Sequence, residues 1–302
     1  MAAGRLSKYG LPLFFLLAFA ITWSTQIPAF VGARNRGEQL SNEANFRHLG
    51  DLLRGTLDPD FAPFVLLFSF SFGPTLAGII VTALVKGREG LRSLFARTVK
   101  YRIPLRWILI ILLIPLVHSS ASLAVGYVLS GFQPVRFSFL VPVSLLLPFL
   151  VYLIIFTGLA EELGWRGYAL PELQARYSAE RASWILGILW GLWHIPGNLF
   201  IAYLRGDLTV LLAVLMILAL TFGVVGWTIV LTWIYNNTTS LFWIILLHGY
   251  GAMVQSYLVL SSNNYMAPVA YGILPWVLAA YVLKQYGAET LARPATVEPA
   301  SS

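Results

Sequence analysis

Residues 139–159 carry no charge, and one alanine later two adjacent carboxylates follow, Glu161 and Glu162. At about 1.5 Å per residue this run alone spans the ~30 Å hydrocarbon layer of a bilayer. The chain around it must therefore supply either a water interface for the acids or partners inside the membrane. An ionisable side chain inside a span costs roughly 2.5–3.5 kcal/mol on the insertion scale, so a carboxylate kept there is a functional-site candidate. Arg166 lies four residues after Glu162, the spacing that lets the two pair on one helix face. Glu161 points about 100° away from Glu162. The competing reading is that both acids merely end the helix at water.

Composition supports the membrane reading. Of 302 residues, 58% are hydrophobic and 11% charged, with a mean hydropathy of +0.75. Soluble domains carry about 25% charged residues. The fold class is all-α, a polytopic membrane protein. There are no cysteines, which excludes disulfides, a thiolate nucleophile, a Cys-ligated metal and prenylation of the chain itself. The net charge of +7 is concentrated in one loop, so it signals topology and not nucleic acid.

Eight spans are expected, near residues 11–31, 61–85, 107–129, 139–160, 183–204, 208–235, 241–260 and 266–283. The first, preceded by Arg5 and Lys8, is too long for a signal peptide and lacks a small-residue cleavage site, so it reads as retained. Residues 34–60 mix both charge signs and suit an outside loop with a surface helix. Residues 86–106 hold Lys86, Arg88, Arg92, Arg97, Lys100, Arg102 and Arg106 against Glu89 alone. The positive-inside rule makes that loop and both termini cytoplasmic, in a multi-pass plasma (inner) membrane protein. Residues 205–207 form a tight outside turn. Residues 1–286 read as one helical membrane domain and 287–302 as a disordered cytoplasmic tail.

Four histidines remain. His48 falls in the outside loop and reads as solvated, and His118 reads as a packing residue bonded to a neighbouring helix. His194 follows Trp190 by one turn and precedes Asn198 by one turn. Pro196 cannot donate to Leu192, which kinks the helix there, a break tolerated where a helix lines a cavity. His248 lies deep in the seventh span, followed by Gly249 and Gly251, which permit close helix approach. Taken singly, each reads as a satisfied core histidine. One Glu and two His on three apolar helices could instead activate a water and stabilise an oxyanion, or ligate a catalytic Zn²⁺. There is no H-E-x-x-H, no Asp in a span and no Gly-framed serine nucleophile, so those intramembrane chemistries are excluded.

The ordered set E-E-x-x-x-R (Glu161, Glu162, Arg166), Trp-x-x-x-His (Trp190, His194) and a later His in an apolar helix (His248) resembles the CPBP family. That family comprises the CAAX proteases and bacteriocin-processing enzymes, also called Abi proteins. The likeness covers about residues 147–257. It implies an eight-helix intramembrane endopeptidase, a CAAX protease of metallo- or glutamate type, acting on membrane-tethered or prenylated peptides. It implies that Glu161 and His194 activate water, that His248 serves the oxyanion, and that Glu162, Arg166, Trp190 and Asn198 are structural or substrate-positioning. A Zn²⁺ ion held by Glu161, His194 and His248 and a metal-free mechanism are both compatible with it. The expected site lies among the fourth to seventh spans, with cleavage near the cytoplasmic face. One position departs from the family pattern: the residue four after the last His is Ala252, where Asn or Asp is usual. Asn198, or less well Gln255, would then have to supply the missing donor. Partners are membrane lipid and the tethered peptide, with no nucleic acid. Two other readings remain: a catalytically silent immunity or scaffold member, which Ala252 would suit, and a proton-coupled transporter, against which stands the absence of repeat-related interrupted helices.

Overall fold

The computed structural model describes residues 2–204 and 209–292. Among them the regular structure is all helical, with no strand and one isolated bridge between Phe137 and Ser262. We number the helices α1 (Ala2–Arg36), α2 (Asn42–Arg54), α3 (Ala62–Ser69), α4 (Gly73–Thr98), α5 (Leu105–Leu129), α6 (Val143–Gln174), α7 (Ala179–Trp193), α8 (Ile195–Leu204), α9 (Val210–Thr238), α10 (Leu241–Leu260) and α11 (Ala267–Tyr286). Six of these, α1, α5, α6, α9, α10 and α11, are long and apolar enough to cross a membrane. The bent pair α3–α4, which turns by 50°, makes a seventh. The fifth expected span is different. It splits at His194 into α7 and α8, of 15 and 10 residues, each too short to cross alone. Pro196, in the first turn of α8, brings no N–H to a continuous helix, and the chain restarts there. The expected turn at 205–207 lies outside the described residues.

α6 is the ruler of the molecule. Near its first half, Asn45 of α2 donates to Tyr152 Oη (3.1 Å) and to Ser69 Oγ (2.8 Å). Near its end, Lys86 pairs with Glu172 (2.5 Å) and Arg97 donates to the Gly167 carbonyl (2.9 Å). Tyr152 and Glu172 are twenty residues apart, so α2 and the basic segment sit at opposite ends of roughly 30 Å of helix. Glu161 lies about midway between them along α6. α2 is thus a surface helix, as expected, but one whose Glu43, Ala44 and Asn45 are buried. Its start is fixed by Ser41, whose hydroxyl accepts from the Ala44 N–H (3.2 Å).

α6 is not a uniform α-helix. Residues Ile154–Leu159 and Trp165–Ala169 form π-turns on either side of the glutamates. α10 crosses the first of these closely. A Cβ on Gly249 would lie 2.6 Å from Ile154 Cα, so only glycine lets the two backbones approach. Gly251 meets only Pro115, at ordinary contact distance, and lines a cavity instead of a close crossing. Past its membrane portion α4 kinks at Gly87 (φ 61, ψ −154) and runs on to Thr98. The tail differs from the disordered reading over its first residues. The Ala179 and Glu180 N–H groups, free at the start of α7, donate to the Glu289 and Ala288 carbonyls (2.8 and 3.0 Å), and Leu291 is buried. Residues 293–302 lie outside the described residues.

Candidate active site

The two glutamates face apart, as their 100° separation requires. Glu162 and Arg166 are fully buried, and Nη1 of Arg166 donates to both oxygens of Glu162 (3.0 and 3.2 Å). Glu162 Oε1 also accepts from His248 Nδ1 (2.8 Å). The guanidinium lies 4.2 Å over the Trp190 ring, a cation–π contact. A carboxylate accepting from Nδ1 fixes the tautomer and turns Nε2 of His248 outward.

Glu161 is 6% exposed. Its Oε2 accepts from the indoles of Trp190 (2.7 Å) and Trp165 (3.3 Å). Oε1 has no hydrogen-bond partner among the described residues. His194 terminates α7, and its Nδ1 donates to the Trp190 carbonyl (2.7 Å). A carbonyl can only accept, so Nε2 carries the free lone pair. Trp190 therefore organises both groups, through its indole to Glu161 and its carbonyl to His194. The Trp193 carbonyl at the break accepts from Trp23 of α1 (3.0 Å). The helix interruption thus leaves no orphan there.

Two cavities meet at this point. The smaller, about 310 Å³, is lined by Glu161, His194, Asn198, Ala252 and Gln255, and is roofed by Leu40–Glu43 at the start of α2. The larger, about 1060 Å³, lies between α9, α10 and α11, and His248 and Trp190 face it. His194, Asn198, Ala252 and Gln255 line both. The smaller cavity runs from Glu161 toward the α2 end and away from the basic segment. Tyr152, Phe156 and Thr157 on the first half of α6 make its wall.

All seven residues singled out from the sequence lie on these two cavities or directly against their walls. Helix-ending acids at a water interface are ruled out, since α6 continues to Gln174 and both carboxylates are buried. The three proposed metal ligands are not brought into one ligand set. Among the described residues no three His, Asp, Glu or Cys side chains are placed to hold a metal ion. The reason is local: Glu161 Oε2 is taken by two indoles, and His248 is turned to Glu162. Asn198 lines both cavities with Ala252. Its amide donates one hydrogen to the His194 carbonyl (2.8 Å), and the second N–H of the same amide stays available beside Ala252. The Gln255 amide makes no hydrogen bond among the described residues. His118 is a packing residue, bonded to the Tyr271 carbonyl (3.0 Å).

Sequence reasoning missed Arg97. Besides Gly167 it donates to Tyr235 Oη of α9 (2.5 Å). Nearby, Lys100 donates to the Thr238 carbonyl (2.9 Å), Ser240 to the Lys100 carbonyl (2.5 Å), and Trp243 to the Tyr101 carbonyl (2.7 Å). Segment 97–101 thereby fastens the second π-turn of α6 to the helix that carries His248.

Fold and site together define a helical polytopic membrane protein with a buried carboxylate–imidazole centre on three helices. Comparison with known proteins narrows that class. Residues 142–254 match the family described as Type II CAAX prenyl endopeptidase Rce1-like, which bears out the resemblance to the CPBP intramembrane proteases. A CAAX prenyl protease 2 of Methanococcus maripaludis is 52% identical over 46 residues. That stretch is 15% of this chain and 17% of the relative's length.

Proposed function

We propose that the protein is an intramembrane endopeptidase that hydrolyses a peptide bond in a membrane-tethered substrate, with prenylated CAAX-type peptides as the first candidates. The observation that carries this reading is the pair of unengaged acceptors on one cavity, Glu161 Oε1 and His194 Nε2. A water between them loses its proton as it attacks the scissile carbonyl, and the proton passes to the departing amine. His248, protonated, keeps Nδ1–H on Glu162 and presents Nε2–H to the oxyanion. Glu162 and Arg166 set the ring of His248 and do not touch the substrate. Since the three candidate ligands are not gathered as a metal set, no step is assigned to a metal. Both termini face the cytoplasm on the positive-inside reading of the basic segment.

A second reading, a silent scaffold of the same fold, is favoured by Ala252, which offers a methyl where an oxyanion donor would sit. One experiment separates the two. The purified protein is incubated with a quenched farnesylated C-a-a-X peptide and with its unprenylated form, with and without chelator. Cleavage that survives chelation and falls by ~10²–10⁴-fold in Glu161→Gln and in His194→Ala supports the enzyme. Undiminished cleavage in either variant refutes the assignment, and no cleavage of any tethered peptide favours the scaffold.

A further inference from the structure

We propose that the outer face of residues 88–106 is a docking surface for the anionic headgroups of membrane lipids. Beyond the Gly87 kink, Arg88, Arg92, Phe95 and Val99 recur at i, i+4, i+7 and i+11, within about 60° of one another on a helical wheel. All four are exposed, Phe95 by 44% and Val99 by 69%. Tyr101, Arg102, Leu105 and Arg106 continue the same mixture along the connection to α5, also exposed. The opposite side of the helix is the one that Leu94 buries and from which Arg97 reaches Gly167 and Tyr235.

Water alone does not account for this face. A solvated helix face carries charges without large apolar side chains among them, and a protein–protein seam is depleted of charge at its centre. The boundary between headgroups and acyl chains takes both at once, apolar groups inward and guanidiniums at the phosphates. Among the described residues Arg88, Arg92, Arg102 and Arg106 form no ion pair. The neighbouring basic residues are used internally, Lys86 by Glu172, Arg97 by Gly167 and Tyr235, and Lys100 by Thr238. The single acid of the segment, Glu89, lies a helical step away from Arg88 and pairs with neither neighbour. Four guanidiniums without a carboxylate partner thus remain at the end of the spans, where the lipid phosphates lie. The surface does not depend on the proposed reaction.

The test uses the full chain in lipid nanodiscs of phosphatidylcholine with a minor fraction of spin-labelled phosphatidylglycerol or phosphatidylcholine. The parent should hold the anionic probe in preference to the neutral one, and salt should weaken that preference. A variant with Arg88, Arg92, Arg102 and Arg106 all changed to Gln should lose it, each guanidinium being worth about fivefold in partitioning at such a surface. The matching four-Lys variant keeps the charge and should retain it, which separates charge loss from misfolding. Equal preference in the parent and the Gln variant would overturn the proposal. So would displacement of the anionic probe by free glycerol phosphate, which would mark a soluble phosphate ligand instead.

Discussion

Replacing Arg166 by Met keeps most of the side-chain volume and removes the charge, leaving Glu162 ionised at membrane depth with His248 as its remaining partner. Breaking a buried pair in this way costs about 3–5 kcal/mol, because the surviving charge stays desolvated. Glu162→Gln should cost a similar amount by stranding the guanidinium. That cost is sharpened by Nε and Nη2 of Arg166, which are buried with no hydrogen-bond partner among the described residues. The double variant strands neither charge, and the amide introduced by Glu162→Gln can still accept from His248 through its oxygen. It should therefore recover most of the loss. The part not recovered is the cation–π contact with Trp190, about 0.5–2 kcal/mol. Thermal melting of the four proteins in one detergent closes the cycle, and the double variant should lose far less than the sum of the two single losses. If both single variants melt like the parent, or if the double variant loses the sum of the two, Glu162 and Arg166 do not act as a buried pair.

Three further outcomes are expected. Ala252→Asn should raise kcat with little change in KM, since the gain appears in the transition state, and Gln255→Leu should lower kcat by ~10²-fold; initial rates on one tethered peptide decide, and an unchanged Gln255→Leu rate removes that residue from the oxyanion site. Gly249→Ala must push α10 off the Ile154 backbone, costing about 1–3 kcal/mol as overpacking does; melting and folded yield measure it. Arg97→Lys cannot serve both Gly167 and Tyr235 as a planar guanidinium does, so it should lower kcat more than it raises KM; equal kcat in Arg97→Lys and parent would make the clamp purely structural.

The membrane class, the split orientation of Glu161 and Glu162, the Glu162–Arg166 pair and the role of His118 were legible because each depends on near neighbours or on apolar run length. The broken fifth span was half legible, since Pro196 announces a kink but not that α7 stops at Trp193. What could not be read were partners far apart in sequence. Asn45 meets Tyr152 across 107 positions and Arg97 meets Tyr235 across 138, with no local pattern linking either pair. Arg97 was hidden for a second reason: six other basic residues surround it, and charge counting treats all seven alike. His248 was expected to serve the oxyanion alone, whereas its ring is also set by Glu162.

The two π-turns of α6 make the direction of the carboxylates a matter of chain length as well as chemistry. Each turn closes over one more residue than an α-turn would. Held as a plain α-helix over the same number of residues, segment 154–159 would swing the Glu pair by about 100° relative to the α2 end. Every letter of E-E-x-x-x-R would survive, yet Glu161 would leave its cavity. The six-residue signature is therefore meaningful only together with the π-turns on both sides of it. A homologous stretch carrying the same letters behind a one-residue gap would keep their direction only by closing that turn as an α-turn.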